Sequence, residues 1–179
     1  MSTTTSRSPG HVVLVGMMGV GKSTVGRRLA AELGRPFSDS DEVIEARTGR
    51  TVREIFEHDG EPAFRRLEAE VLAEALAAPE PTVVAAAGGV VLDPGNRRRL
   101  RSAGTVVWLR APVAMLVDRV ATGDHRPAVE VDAAGTLSRM EVDRTELYTE
   151  VADVVVDSSR PVDEVVALAL RAVERREAA

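Results

Sequence analysis

Cysteine is absent from this 179-residue chain, which removes disulfides, thiolate zinc sites and cysteine nucleophiles together. A reducing compartment is permitted, and the cytoplasm is the expected location. Lysine is nearly absent as well: Lys22 is the sole example, and arginine serves wherever else a permanent positive side chain occurs. A lone surviving lysine points to work that needs a compact ammonium on a flexible stem, which arginine cannot supply. No apolar run approaches membrane-spanning length, so no membrane association is expected. Residues 1–10 are rich in Ser and Thr without an apolar stretch, and read as a disordered tail, not a signal peptide. Positive charge is in deficit, with a net charge of −5, which argues against non-specific nucleic-acid binding. An anionic substrate must then be held by a local cluster of arginines. The three histidines, His11, His58 and His125, show no metal-ligand spacing, and there is no internal repeat.

What is present is organised around Gly16-Met17-Met18-Gly19-Val20-Gly21-Lys22-Ser23-Thr24, which matches the phosphate-loop pattern G-x-x-x-x-G-K-[ST]. The apolar run Val12–Val15 before it and the helix-like Val25–Leu33 after it supply the strand and helix that the pattern requires. A plain glycine-rich turn is the competing explanation, but a chance match in a chain this long is on the order of one in a hundred or less. Backbone N–H groups curling from Gly19 through Val20, Gly21, Lys22, Ser23 and Thr24 suit the phosphates of a nucleotide, helped by the helix N-terminus. Lys22 reaches the β and γ phosphates in this reading, and the Ser23 hydroxyl is a ligand of the accompanying Mg²⁺.

Along the chain, periodicity predicts a buried strand at Val12–Val15, a helix from Lys22 to Leu33 stopped by Gly34, and a short strand at Pro36–Ser38. A short helix is expected from Ile44 to Gly49. A capping box at Thr51–Glu54 opens another, and Pro62 begins a longer one with Phe64, Leu67, Val71, Leu72, Ala75 and Leu76 on its apolar face. Strands follow at Thr82–Ala87, Thr105–Leu109 and Asp153–Val156, interleaved with helices from Asp93-Pro94, from Pro112 to Ala121, from Thr136 to Thr149 and from Pro161. The polar stretch 122–135 is long enough to be a lid. Strands alternating with helices imply an α/β fold, a five-stranded parallel sheet with helices on both faces and the phosphate site at the strands' carboxyl ends.

Asp39 and Asp41 follow the second strand, and period-two spacing puts both on one face if the chain stays extended. Asp39 is assigned to the Mg²⁺ shell, and Asp41 to a hydroxyl that loses its proton as it attacks phosphorus. The plainer alternative is that Ser40 or Asp41 merely caps the next helix. Arg126, in the lid before Pro127, is placed to fold over the phosphates during transfer. The arginine pair Arg65-Arg66 and the run Arg97-Arg98-Arg99 with Arg101 would ordinarily be solvated helix faces. An Asn-Lys-x-Asp guanine motif is missing, and the third strand ends in Gly88-Gly89 without the aspartate of a typical ATPase. A single-domain P-loop kinase of a small molecule remains.

Together these residues resemble the shikimate kinases from Val12 to about Val173. The specific signals are Asp39-Ser40-Asp41; Ile55-Phe56-x-x-x-Gly60-Glu61-x-x-Phe64-Arg65-Arg66-x-Glu68; Gly88-Gly89; Arg126-Pro127; and Arg144-x-x-x-Tyr148. The resemblance implies ATP-dependent phosphorylation of the shikimate 3-hydroxyl on a fold like that of nucleoside monophosphate kinases. It also implies a domain over 11–176, with a small substrate-binding region at about 39–68 and the lid at about 122–135. By position, Asp41 contacts the shikimate hydroxyls and acts as base, Arg65 and Arg144 grip its carboxylate, and Gly88 and Gly89 supply backbone contact. Arg119 and Arg126 face the nucleotide, and Arg160 lies in the adenine loop. The expected partners are ATP and shikimate, and the expected assembly is a monomer. Ala86-Ala87 departs from the family, which usually has a small polar residue and a third glycine there. A gluconate-type or nucleoside monophosphate kinase is the alternative enzyme, and a non-catalytic ATP-binding module the alternative of another class.

Overall fold

In the computed structural model, which describes residues 10–121 and 132–179, five parallel strands form one sheet in the order β2-β3-β1-β4-β5. These are β1 (His11–Val15), β2 (Phe37–Asp39), β3 (Val83–Ala85), β4 (Gly104–Arg110) and β5 (Val154–Asp157). Every residue of β1 is buried, as the apolar run Val12–Val15 requires of a central parallel strand covered on both faces. Leu14 pairs in register with Ala85 on one side and Val107 on the other.

The helices are α1 (Lys22–Leu33), α2 (Ser40–Thr48), α3 (Val52–Asp59), α4 (Glu61–Ala77), α5 (Pro94–Ala103), α6 (Val113–Val120), α7 (Ala133–Val151) and α8 (Val162–Glu177). Helices α1 and α8 pack together in one layer, and α4, α5 and α7 in the other. A second, smaller core sits beyond the β2 edge of the sheet, where Ile44, Ile55, Phe64 and Val71 from α2, α3 and α4 are buried together. The Phe56 and Phe64 rings meet there at 4.7 Å between centroids. Loss of Phe64 to alanine would cost about 3–5 kcal/mol, because a fully buried ring leaves a cavity in a cluster this small.

Three boundaries differ from the sequence expectation for identifiable reasons. Helix α2 starts at Ser40, not Ile44, because the Asp39 carboxylate accepts from the backbone N–H groups of Asp41 and Glu42 and turns the chain at once. The extended conformation therefore stops at Asp39, and Asp39 and Asp41 do not share a strand face. The cap expected of Ser40 or Asp41 is Asp39. Strand β3 ends at Ala85, two residues early, as the chain leaves the sheet toward Gly88-Gly89, with Ala86 N–H still bonded to the Leu14 carbonyl at 3.0 Å. Helix α7 starts at Ala133, three residues before Thr136, because the Asp132 side chain accepts from the Gly135 N–H. The remainder of the expected lid, with Arg126, His125 and the tail at 1–9, lies outside the described residues.

Candidate active site

The phosphate loop joins β1 to α1 as the pattern predicts. Gly16 has φ of 141°, and a Cβ there would stand 2.4 Å from the Leu109 carbonyl oxygen, so only glycine lets the loop cross the end of β4. Lys22 Nζ curls back to donate to the carbonyls of Gly16 at 2.8 Å and Met17 at 3.0 Å, which keeps the ammonium over the loop it belongs to.

Ser23, on the first turn of α1, donates from Oγ to Asp39 Oδ2 at 2.5 Å, while Asp39 Oδ1 caps α2 by accepting from Asp41 N–H at 3.0 Å and Glu42 N–H at 3.4 Å. A buried carboxylate and a hydroxyl thus meet as hard oxygen donors. Among the described residues no group of three or more His, Cys, Asp or Glu side chains forms a self-sufficient metal cage. The donor set suits Mg²⁺, which takes one or two protein oxygens and fills its octahedron with phosphate and water.

Lys22, Ser23, Asp39, Asp41 and Gly88 open onto one cavity of about 790 Å³, whose wall also includes Gly19, Val20, Gly21, Thr24, Arg119 and Arg160. That volume is in the upper range for ligand pockets and accommodates a nucleotide with a small acceptor. At one end of the cavity Arg119 donates to the Gly19 carbonyl at 3.2 Å and the Ser158 carbonyl at 3.1 Å, tying the phosphate loop to the turn after β5. Arg160 lies on that turn within 3.8 Å of Asp157 and 3.6 Å of Glu164. Ala87 lines the cavity with ordinary backbone angles, no non-glycine residue among those described having positive φ.

Arg65 and Arg144 come together just behind Gly88. Arg65, on α4, lies so flat against Gly89 that a Cβ there would stand 1.7 Å from its Nη1. Its Nη1 donates to Glu68 at 2.5 Å, and its Nε and Nη2 donate to Glu61 at 3.1 and 2.7 Å. Burial works against the charge of Arg65. The Glu68 carboxylate and the hydrogen bonds to Glu68 and Glu61 outweigh it, holding the guanidinium pKa above its ordinary value. Arg66, one position on, is exposed. From the other side Arg144, 5% exposed, donates from Nη1 to the Gly88 carbonyl at 3.2 Å, and Tyr148 Oη donates to the same oxygen at 2.7 Å.

Sequence reasoning overlooked part of the wall. Glu45, Thr51, Val52 and Arg53 also face the cavity, Glu45 accepting from the Val52 N–H at 2.9 Å and so fixing α3 against α2. The capping box at Thr51–Glu54 was the available signal, since it dictates where α3 starts and hence where Arg53 stands. Several of the other basic side chains have structural uses. Arg97 and Arg101 both reach Glu150, at 2.7 and 2.9 Å, and join α5 to α7. The buried His11 accepts through Nδ1 from the Thr82 N–H at 3.1 Å.

The family profile for shikimate kinase matches residues 18–174. The chain belongs to the shikimate kinase family. A shikimate kinase of Paramagnetospirillum magneticum is 46% identical over 154 residues, covering 86% of this chain and 78% of that protein. The structure of a shikimate kinase from Acinetobacter baumannii in complex with shikimate superposes with a TM-score of 0.86 at 37% identity, covering 94% of this chain and 93% of that one. A gluconokinase from Sinorhizobium meliloti has a TM-score of 0.61 at 27% identity over 94% of each chain. The wider kinase fold is therefore shared with gluconate-type enzymes, but the family assignment is to shikimate kinases.

Proposed function

We propose that this chain transfers the γ-phosphoryl group of ATP to the 3-hydroxyl of shikimate, giving shikimate 3-phosphate and ADP on the route to aromatic amino acids. Family membership carries this reading. The convergence of Arg65 and Arg144 on Gly88-Gly89 supports it: Gly88 lines the phosphate-loop cavity, and the two arginines stand behind it.

In the transfer, a bond forms from the 3-oxygen to the γ-phosphorus as the bond to the β–γ bridging oxygen breaks, and the hydroxyl proton passes to the Asp41 carboxylate. The N–H groups of residues 19–24 and the Lys22 ammonium hold the phosphates, and Arg119 and Arg160 flank the nucleoside. Arg126, from the proposed lid at about 122–135, adds charge over the migrating group. Arg65 and Arg144 orient the acceptor through its carboxylate, with Gly88 and Gly89 as backbone contacts and the 39–68 segment as the substrate-binding region of an 11–176 domain. Ser23 and Asp39 would hold Mg²⁺, which when bound neutralises phosphate charge. The chain works as a monomer in the cytoplasm in this reading; separately, no helix among the described residues is long and apolar enough to cross a membrane.

The deciding experiment follows ADP release with MgATP and shikimate, gluconate or nucleoside monophosphates offered separately. Release with shikimate alone is the expected result. Release with gluconate or a nucleotide would move the chain to another small-molecule kinase, and ATP binding without release to any acceptor would make it a non-catalytic module.

A further inference from the structure

Helix α7 carries two donors four residues apart, Arg144 and Tyr148, and one turn of helix brings both to a single acceptor, the Gly88 carbonyl. The tyrosine bond is the shorter, 2.7 Å against 3.2 Å. The phenol ring is itself fixed, stacked on Trp108 of β4 with centroids 5.4 Å apart and planes 27° from parallel. Trp108 pairs in register with Val15, the last residue of β1 before the phosphate loop. An unbroken line of contacts therefore runs from the strand end that launches the loop, through Trp108 and Tyr148, to Gly88. The transfer described above gives the Tyr148 hydroxyl no part.

We infer that Tyr148 is a positioning residue, whose hydroxyl sets the Gly88-Gly89 turn and leaves the Arg144 guanidinium available for the acceptor's carboxylate. This rests on the proposed function. A carbonyl oxygen has two lone pairs, and here Tyr148 and Arg144 take one each. Without the phenol, this partly buried oxygen would lean on Arg144 as its remaining donor of the two, drawing that side chain toward the backbone. The effect reaches further, because the peptide bond is planar and trans: fixing the Gly88 C=O also fixes the direction of the Gly89 N–H. Gly89 is the floor against which Arg65 lies, so one hydroxyl governs the platform under both arginines. Burial keeps the phenol protonated, with its pKa pushed up to about 12, so the donor persists at any working pH.

The test is Tyr148→Phe, which keeps the ring and its stack on Trp108 and removes the hydroxyl. The KM for shikimate should rise about five- to twentyfold, while kcat and the KM for ATP stay within about twofold. Unchanged shikimate KM, with or without a fall in Tm, would reduce Tyr148 to packing, and equal loss toward both substrates would mean general damage to the site; either result overturns the inference. A second measurement leaves the fold intact. Tyr148 is the sole tyrosine, so growth on 3-fluorotyrosine places one fluorine in the protein. Its resonance should shift on saturation with shikimate and move much less with MgATP, and a resonance indifferent to shikimate would overturn the inference. Wild-type protein that fails to phosphorylate shikimate would sink the proposed function and this inference with it, whereas active wild type with a silent Tyr148→Phe sinks the inference alone.

Discussion

Asp39 divides its two oxygens between two tasks: Oδ2 receives the Ser23 hydroxyl at 2.5 Å, and Oδ1 caps α2 through the Asp41 and Glu42 N–H groups. The same side chain thus stands at the proposed Mg²⁺ position and starts the helix that carries Asp41. Two substitutions separate the tasks. Asparagine caps a helix about as well as aspartate, so Asp39→Asn should leave stability within about 0.5 kcal/mol, whereas Asp39→Ala should lose about 1 kcal/mol with the cap. Both remove the charge offered to the ion. The Mg²⁺ concentration for half-maximal ADP release should rise at least about tenfold in each, by analogy with the loss of a charge-assisted contact. Chemical denaturation and a Mg²⁺ titration are the two measurements, and an unchanged Mg²⁺ requirement in Asp39→Asn would remove Asp39 from the metal shell.

The Arg65–Gly89 contact gives a second prediction, since nothing about Gly89's backbone requires glycine: its φ of −90° suits alanine. Gly89→Ala should therefore fold, yet its methyl would occupy the place of the Arg65 guanidinium and push that flexible side chain aside. Arg65→Lys should cost roughly 1.5–3 kcal/mol of acceptor binding, about ten- to a hundredfold in kcat/KM for shikimate, because an ammonium cannot reproduce the planar fork. Gly89→Ala should approach that loss without touching a charge. Arg66→Lys, exposed one position further round α4, should change little. Equal, small effects in all three variants would leave Arg65 an ion-pair partner of Glu61 and Glu68 with no part in acceptor binding.

The succession of strands and helices along the chain and the phosphate loop were legible because each rests on local periodicity or on a nearly obligatory motif. The order within the sheet was not: the strand ending at Asp39 was expected beside the one that feeds the phosphate loop, but β3 lies between them. What could not be read locally was the double use of side chains. Asp39 looked like a metal ligand by position, and nothing in Asp39-Ser40-Asp41 said that the first carboxylate would also end the strand and cap α2. Ala86 and Ala87 continue an apolar run that looks like strand, but the sheet stops at Ala85 because the chain must turn into the cavity at Gly88. Arg53 escaped notice for a related reason: its place on the wall depends on Glu45 docking α3 against α2, a contact seven residues apart. Arg65 and Arg144 were named through their motifs. That they meet at one glycine pair is a property of the packing of α4 and α7 around it, not of either helix alone.

Lys22 gives a third prediction, because the amine inventory is so short. An amine-directed reagent should modify only the chain's N-terminus and Lys22. With its ammonium held by the Gly16 and Met17 carbonyls, Lys22 should react slowly, and MgATP should protect it further. Loss of ADP release should track modification at Lys22 by mass spectrometry. Full modification with turnover intact would show that the ammonium is not needed on the phosphates.

Tyr148 gives the last prediction, at alkaline pH. Burial pushes its phenol up to about 12 from an ordinary value near 10, with Glu68 adding to the rise and Arg144 and Arg65 opposing it. Between those two values the unfolded chain has released the proton that the folded chain still holds. Fewer protons are then bound in the unfolded state, so stability must fall as pH rises, at up to about 1.4 kcal/mol per pH unit. Below pH about 10 both states are protonated and the group contributes no slope. The chain is suited to this measurement, because it has one tyrosine, one lysine and no cysteine, leaving few other side chains that titrate in the window. Urea denaturation at pH 9, 10 and 11 should show the decline in wild type and a much flatter profile in Tyr148→Phe. Absorbance at 295 nm offers an independent check, since native protein should show little phenolate at pH 10.5, with the full signal appearing as the chain unfolds. Half-ionisation of the native protein near pH 10 would mean that the hydroxyl is solvated, and the bond to Gly88 could not then be the rigid link between α7 and the turn.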